Sequence, residues 1–195
     1  MKTNRQEYGF SRLMKKADDG DLGAMREFVR LSHLRDDEET DAGREEKCRE
    51  YIKILVTAKD PIGYLWMADS FLEKETGYKD ADEAIRYYET AAENGIGFSY
   101  ECIGEIYYHG MGVPQDYGKA YQYFQKTEEP SFMALYYLGE MYRNGFYLDK
   151  NEEMAGQYYQ RIVDEAADAA DAQRDLFYRF AKERLNGNLE EFSRQ

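Results

Sequence analysis

The sequence predicts an all-α fold built from helix pairs that repeat about every 35 residues. The first observation is internal similarity, because Ile103–Tyr107 (IGEIY) aligns with Leu138–Tyr142 (LGEMY), 35 residues later. The second is composition: only 3 of the 195 residues are proline, which leaves long stretches free to be helical. The third is spacing, since small and aromatic residues recur at intervals that share one face of a helix. Together they indicate tandem repeats of two helices, helix A and helix B.

The repeated positions show how the two helices of a unit would pack. Helix A carries a small residue at Ala68, Gly104 and Gly139. Helix B carries a small residue followed by two aromatic residues, in the sets Ala84, Tyr87, Tyr88; Ala120, Tyr123, Phe124; and Ala155, Tyr158, Tyr159. A step of 36 residues from the first of these sets toward the N-terminus gives the weaker set Cys48, Tyr51 and Ile52. The small residues let the helices approach, and the rings fill the space beside that contact, which explains most of the 19 tyrosines structurally.

The glycine-rich segment of the third unit, HGMGVPQD, is interpreted as a bend between helices. Gly110 can end helix A at positive φ, Pro114 cannot continue a helix, and Asp116 can cap helix B. A phosphate-binding loop would need a strand before the glycines and a Lys-Ser/Thr pair after them. The sequence provides neither feature, so the segment predicts a structural turn.

These residues carry a family resemblance. The segment Ile103–Lys126 resembles a Sel-one-like repeat (SLR, Sel1-like repeat), a relative of the tetratricopeptide repeat (TPR-like). The matching residues are Ile103, Gly104, Tyr107, Gly110, Gly112, Val113, Asp116, Lys119, Ala120, Tyr123 and Phe124. The fourth unit has Tyr147 at the position of the second glycine. The resemblance implies a right-handed α/α superhelical solenoid of about four helix-pair repeats with helical caps at both ends.

The elements are expected in the following order within a single domain, 1–195. A cap helix at about 6–17 is followed by repeats at about 21–59, 61–94, 98–130 and 131–165, and by a C-terminal cap at about 168–195. The first repeat is degenerate, with a longer loop through the acidic stretch Asp36–Asp41. In the C-terminal cap, a helix from Asp171 turns Leu176, Phe177 and Phe180 inward, and a short polar helix or tail begins at Arg184.

Charge and composition restrict the function class. The net charge of −13 argues against nucleic acid, whose phosphates require Lys and Arg, and against anionic membrane surfaces. No apolar run approaches the roughly 20 residues of a membrane span, and no signal core opens the chain. A cytoplasmic protein is therefore expected. Cys48 and Cys102 fall in separate predicted helices, which favours buried free thiols over a redox pair.

The sequence offers little support for a catalytic or metal-binding site. Glu101, Glu105 and His109 share one helix face and could supply two or three metal ligands, but such a site needs ligands from a second element. An ordinary Glu–His surface pair is favoured. The acidic stretch Asp36–Asp41 lacks the glycine and terminal glutamate of a calcium loop. The expectation is a protein that is not an enzyme, with no catalytic residues, no metal and no cofactor.

Resemblance to tetratricopeptide grooves identifies the residues that would face a concave surface. They are Leu65, Asp69, Glu101, Glu105, Tyr108, His109, Tyr136, Glu140 and Arg143. Three of them, Asp69, Glu105 and Glu140, occupy the equivalent position of successive units. An acidic, tyrosine-lined groove could hold Lys or Arg side chains, so the leading hypothesis is an adaptor or scaffold that binds a basic or amphipathic protein segment. The competing interpretation is that these acids only solvate an exposed face.

Two other functions stay open at this level. One is a structural role through self-association, which an exposed aromatic patch on a helix B would favour. The other is an inhibitor or immunity-type role, in which an acidic protein neutralises a basic partner enzyme; the charge of −13 is compatible with it. The sequence decides neither the partner nor the oligomeric state.

Overall fold

The computed structural model describes residues 3–33, 42–72, 80–167 and 175–192, and within these ranges it contains ten helices and no strand. The helices are α1 Thr3–Asp18, α2 Leu22–His33, α3 Ala42–Thr57, α4 Pro61–Phe71, α5 Ala81–Glu93, α6 Phe98–His109, α7 Tyr117–Phe124, α8 Phe132–Asn144, α9 Glu152–Glu165 and α10 Leu176–Phe192. The all-α repeat fold class predicted from the sequence is confirmed.

The chain divides into two compact units, Met1–Ile96 and Gly97–Gln195. In the first unit, α1 packs on α2, α3 packs on α2 and α4, and α4 pairs with α5. In the second unit, α6 pairs with α7 and α8 with α9, while α10 packs on α9 and α8. The three pairs α4/α5, α6/α7 and α8/α9 fall inside the predicted repeats. The single domain over 1–195 stays a prediction.

Each of these three pairs begins its second helix with the same side-chain cap. Asp80, Asp116 and Asn151 accept a hydrogen bond from the backbone N–H three residues later, at 3.1, 2.9 and 3.0 Å. Such a cap contributes about 1 kcal/mol to helix stability. The first helices α6 and α8 end at Gly110 and Gly145, with φ of 69° and 72°. The predicted roles of Gly110 and Asp116 are therefore confirmed.

Glycine at the A–B contact allows an aromatic ring to lie directly on the helix backbone. A Cβ at Gly104 would lie 2.5 Å from Cε1 of Phe124, and a Cβ at Gly139 would lie 2.5 Å from Cε1 of Tyr159. Phe124 and Tyr159 are buried as a result. This is the close approach that the alternation of small and aromatic residues predicts.

Tyr147 adopts the backbone conformation that its position requires, although it is not glycine. Its φ is 67°, close to the 70° of Gly112, the equivalent residue of the preceding unit. A bulky residue rarely adopts this left-handed conformation. The ring is 61% exposed and lies beside Tyr121, with 5.8 Å between ring centroids. The repeat therefore keeps its turn geometry without the second glycine.

The C-terminal end differs from the prediction in two respects. Helix α10 continues through Arg184 to Phe192, so the separate finishing segment from Arg184 is wrong. Leu176 is 45% exposed, because α10 turns the face that carries Phe177, Phe180 and Ala181 toward its neighbours. Leu176 stands about 100° away from Phe177 around the helix. The predicted start at Asp171 lies outside the described residues, as does the Asp36–Asp41 loop.

Both cysteines are free thiols in the structure. Cys48 is buried, and burial raises the pKa of its thiol. Cys102 is only half-buried. The prediction of free thiols is confirmed, and that of burial holds for Cys48.

Candidate functional site

In the first unit, the candidate residues Leu65 and Asp69 lie on α4. Leu65 is half-buried and Asp69 is exposed. The Asp69 carboxylate accepts a 2.5 Å hydrogen bond from the hydroxyl of Tyr88 on α5. Desolvation by the surrounding protein raises the pKa of Asp69, and this hydrogen bond opposes the rise. The acid therefore links the two helices of its own repeat while keeping solvent access.

In the second unit, Glu140 makes the equivalent contact but is buried, with 9% of its surface exposed. It accepts a 2.6 Å hydrogen bond from the Tyr159 hydroxyl, 19 residues later, the same interval that separates Asp69 and Tyr88. Arg184 of α10 donates to both carboxylate oxygens, from Nε at 2.8 Å and Nη2 at 3.0 Å. Glu140 is thus fully engaged inside the protein.

Arg184 also connects this ion pair to another candidate residue. Its Nη2 lies 3.4 Å from the hydroxyl oxygen of Tyr136, which is half-buried on α8. The bond to Glu140 raises the pKa of Arg184, so its guanidinium is permanently charged. Sequence reasoning missed Arg184, because no repeat position marks a residue of the last helix as a partner of α8.

Glu105, the third acid of the series, has a different partner. The residue 19 positions later is Phe124, which has no hydroxyl. Glu105 instead accepts a 3.2 Å hydrogen bond from Tyr137 on α8. Because that hydroxyl donates its proton to Glu105, its oxygen accepts from His109 Nε2 at 2.8 Å. The structure therefore brings Glu105, His109 and Tyr137 together. The sequence signal that could have predicted this change of partner is Phe124, since the equivalent residues Tyr88 and Tyr159 carry a hydroxyl.

Glu101 and Tyr108 are buried within the second unit. Glu101 is 1% exposed and accepts hydrogen bonds from the backbone N–H of Ser131, at 3.0 Å, and from its hydroxyl. Ser131 caps α8, so Glu101 attaches the start of α8 to α6. Tyr108 packs against Tyr137 and Tyr117, with ring centroids 4.6 and 5.2 Å apart. Desolvation raises the pKa of both Glu101 and Tyr108.

The raised pKa of Glu101 predicts a pH-dependent stability difference between wild type and Glu101→Gln. Between its ordinary value of 4.5 and its raised value, the folded state binds more protons than the unfolded state. Wild-type stability therefore loses this contribution as pH rises through the window. The glutamine variant lacks the effect, so its stability relative to wild type is expected to increase from pH 4 to pH 8. Urea unfolding at several pH values measures this, and a difference independent of pH would contradict it.

The nine candidate residues fall into two groups by exposure. Glu101, Tyr108 and Glu140 are buried. Solvent access remains at Leu65, Asp69, Glu105, Tyr136, His109 and Arg143. Leu65 and Asp69 belong to the first unit and the other four to the second. The accessible carboxylates at the repeated position are therefore Asp69 and Glu105.

The described ranges offer little for metal chemistry or membrane insertion. Among those residues, no group of three or more His, Cys, Asp and Glu side chains is arranged to hold a metal ion. The helices within them are all too short or too polar to cross a bilayer.

Comparison with known proteins gives the same repeats. The Sel1 repeat family model matches residues 64–96, 103–127 and 132–165, which correspond to α4/α5, α6/α7 and α8/α9. The chain is 36% identical over 103 residues to protein sel-1 homolog 2 of Homo sapiens, covering 52% of this chain and 15% of that protein. It is 33% identical over 112 residues to the alginate biosynthesis protein AlgK of Azotobacter vinelandii, covering 56% and 22%. The chain thus spans less than a quarter of either relative.

Two solved structures share the architecture. One is a protective antigen of uropathogenic Escherichia coli that displays an SLR fold, with a TM-score of 0.65, 18% identity, and coverage of 80% of this chain and 33% of that one. The other is a Sel1 repeat protein from Oxalobacter formigenes, with a TM-score of 0.51, 25% identity, and coverage of 70% and 95%. Sel1 repeats are generally protein–protein interaction modules. On the matched repeats and the shared fold, the chain belongs to the Sel1-like repeat family.

Proposed function

We propose that this protein is a non-enzymatic scaffold that binds a basic or amphipathic segment of another protein. The observation that carries the proposal is that each of the two units keeps one accessible carboxylate at the repeated position, Asp69 in the first unit and Glu105 in the second. Each accepts a hydrogen bond from a tyrosine hydroxyl, which orients the carboxylate. A lysine or arginine of a partner would add a charge-assisted hydrogen bond to such a group.

The overall charge supports the same class of partner. A net charge of −13 attracts basic segments over a distance of about one Debye length and repels acidic ones. The accessible side chain of Leu65, four residues before Asp69 on the same helix, offers apolar contact next to the acid. This combination suits an amphipathic segment that carries positive charge.

The test uses a synthetic amphipathic helix of leucine and lysine, with a matched peptide in which glutamate replaces lysine. Wild type is expected to bind the lysine peptide, more weakly as salt rises, and to reject the glutamate peptide. The double variant Asp69→Asn/Glu105→Gln keeps both hydrogen-bond acceptors and removes both charges. Its affinity is expected to fall about thirtyfold, since each of the two bonds is stronger by ~1 kcal/mol when its acceptor is charged.

A control variant separates local contact from net charge. Glu128→Gln/Glu129→Gln removes two charges from exposed acids between α7 and α8. Isothermal titration calorimetry should show less than a twofold loss for this control. An equal loss in both double variants, or equal affinity for the two peptides, would overturn the proposed contacts of Asp69 and Glu105.

A further inference from the structure

The first matched repeat contains three stacked aromatic rings that join α4 to α5. Tyr64 and Phe71 lie two helical turns apart on α4, and both rings stack on the Tyr87 ring of α5. The Tyr64 and Tyr87 centroids are 6.4 Å apart with planes at 30°, and the Phe71 and Tyr87 centroids are 5.9 Å apart with planes at 14°. All three residues are half-buried, so each keeps some access to solvent. We call these three residues the α4/α5 ring triad.

The next repeat builds the same triad 36 residues later, from Tyr100, Tyr107 and Tyr123. The Tyr100–Tyr123 centroids are 6.3 Å apart with planes at 35°, and the Tyr107–Tyr123 centroids are 5.9 Å apart with planes at 12°. The two triads therefore have nearly the same internal geometry. Any difference in what they bind must come from the side chains around the rings.

Those neighbouring side chains do differ. In the α6/α7 repeat, Lys126 Nζ lies 4.3 Å from the Tyr123 centroid and 4.9 Å from that of Tyr100. Lys119 Nζ lies 4.6 Å from the Tyr107 centroid. These distances place both ammonium groups in cation–π contact with the rings. The triad of this repeat is already occupied by two lysines of its own repeat.

The α4/α5 triad has no lysine at either equivalent position. Lys126 corresponds to Thr90, whose hydroxyl donates to the Arg86 carbonyl at 2.9 Å. Lys119 corresponds to Glu83, which pairs with Arg86. Within the described ranges, no lysine or arginine nitrogen lies over Tyr64, Phe71 or Tyr87 in the way that Lys126 lies over Tyr123. The α4/α5 triad therefore has the ring arrangement that holds two lysine ammonium groups in the next repeat. The two lysines themselves are replaced by Thr90, which is neutral, and Glu83, which is acidic.

The third matched repeat lacks a complete triad. Tyr142 and Tyr158 stack with centroids 5.8 Å apart, but the residue equivalent to Tyr100 is Leu135, which is buried. The residue equivalent to Lys126 is Arg161, which pairs with Glu165 at 2.6 Å. Among the matched repeats, the α4/α5 repeat therefore combines all three rings with a cation position that no lysine or arginine of the described residues fills.

We propose that the α4/α5 ring triad binds the ammonium group of a lysine side chain from a partner protein. The ring faces supply the quadrupole attraction, and their partial burial reduces competition from water. This inference rests on the proposed function for the class of partner, a basic protein segment, and it adds a contact that is independent of Asp69 and Glu105.

The test is a nuclear magnetic resonance titration with the blocked tripeptide Gly-Lys-Gly, using the same peptide with Nε-acetyl-lysine as the neutral control. The aromatic resonances of Tyr64, Phe71 and Tyr87 are expected to shift in a saturable way with the lysine peptide at millimolar concentration. The acetylated peptide is expected to shift them at least tenfold less. Equal shifts with both peptides, or no shift at the triad, would overturn the proposal.

Two variants exploit the equivalence of the repeats. Thr90→Lys places a lysine where Lys126 stands in the next repeat, so it is expected to fill the triad and reduce the peptide-induced shifts at least tenfold. Lys126→Thr opens the equivalent position at Tyr123 and is expected to produce new shifts there. Far-ultraviolet circular dichroism verifies that both variants fold. Unchanged shifts in a folded Thr90→Lys protein would refute the assignment.

The outcomes distinguish this inference from the proposed function. Asp69→Asn/Glu105→Gln should change the tripeptide shifts at Tyr87 by less than twofold. If the tripeptide binds the triad but the amphipathic lysine peptide does not bind the protein, the proposed function fails and the triad site stands. If the amphipathic peptide binds wild type and Thr90→Lys equally and the tripeptide shifts nothing, the triad site fails alone.

Discussion

Replacement of Gly63 by alanine is expected to lower the free energy of unfolding by about 3 kcal/mol, the upper part of the usual range for overpacking. Gly63 is buried on α4 where that helix crosses α3. A Cβ there would lie 2.6 Å from Cβ of Leu55 and 2.8 Å from its carbonyl carbon, and 2.9 Å from the backbone nitrogen of Val56. Backbone atoms cannot move aside as a side chain can, so the two helices must separate.

The measurement is urea unfolding followed by circular dichroism, with Gly156→Ala as the matched control. Gly156 lies inside α9, and a Cβ at that position meets nothing within 4 Å. Alanine there is expected to stabilise the protein by about 0.5–1 kcal/mol, because glycine weakens a helix interior. A Gly63→Ala protein as stable as wild type would show that the α3–α4 contact is looser than the structure indicates.

Glu140→Ala is expected to cost about 2–4 kcal/mol of stability. The substitution leaves the Tyr159 hydroxyl without its acceptor in a fully buried site and removes both carboxylate contacts of Arg184. The Arg184 side chain is 39% exposed, so water recovers part of its loss. The cost therefore falls below that of breaking a fully buried ion pair.

A double-mutant cycle isolates the contribution of the hydroxyl. Tyr159→Phe alone leaves Glu140 with its Arg184 bonds and is expected to cost about 1 kcal/mol. The double variant Glu140→Ala/Tyr159→Phe is expected to be more stable than the sum of the single losses implies, because it leaves no buried hydroxyl unpaired. Strict additivity would mean that Glu140 and Tyr159 do not act as a pair.

The helices and their pairing were largely predictable because their signals are local. Caps such as Asp116 and glycines such as Gly110 act within four residues, and the small and aromatic positions repeat at a constant interval. The error at the C-terminal end has the opposite origin. No local signal joins Arg184 to the preceding helix, because its partner, Glu140, lies 44 residues earlier in the chain.

The candidate site was predicted only in part. The repeat register identified Asp69, Glu105 and Glu140 as equivalent, and the structure places each in contact with a tyrosine hydroxyl. The register did not show that Glu140 would be buried while Asp69 stays exposed. That difference depends on α10, which covers Glu140 with Arg184 and has no counterpart in the sequence pattern of the repeats.

The repeat, the helix ends and the close A–B contacts are predictable from the sequence, because each depends on residues a few positions apart or on a fixed period. Which carboxylates remain accessible, and which ring triad carries its own lysine, depends on packing in three dimensions. Burial and cation–π contact depend on atoms from separate helices, and equivalent positions with chemically similar residues acquire different surroundings. Asp69 and Glu140 illustrate this, as do Tyr87 and Tyr123.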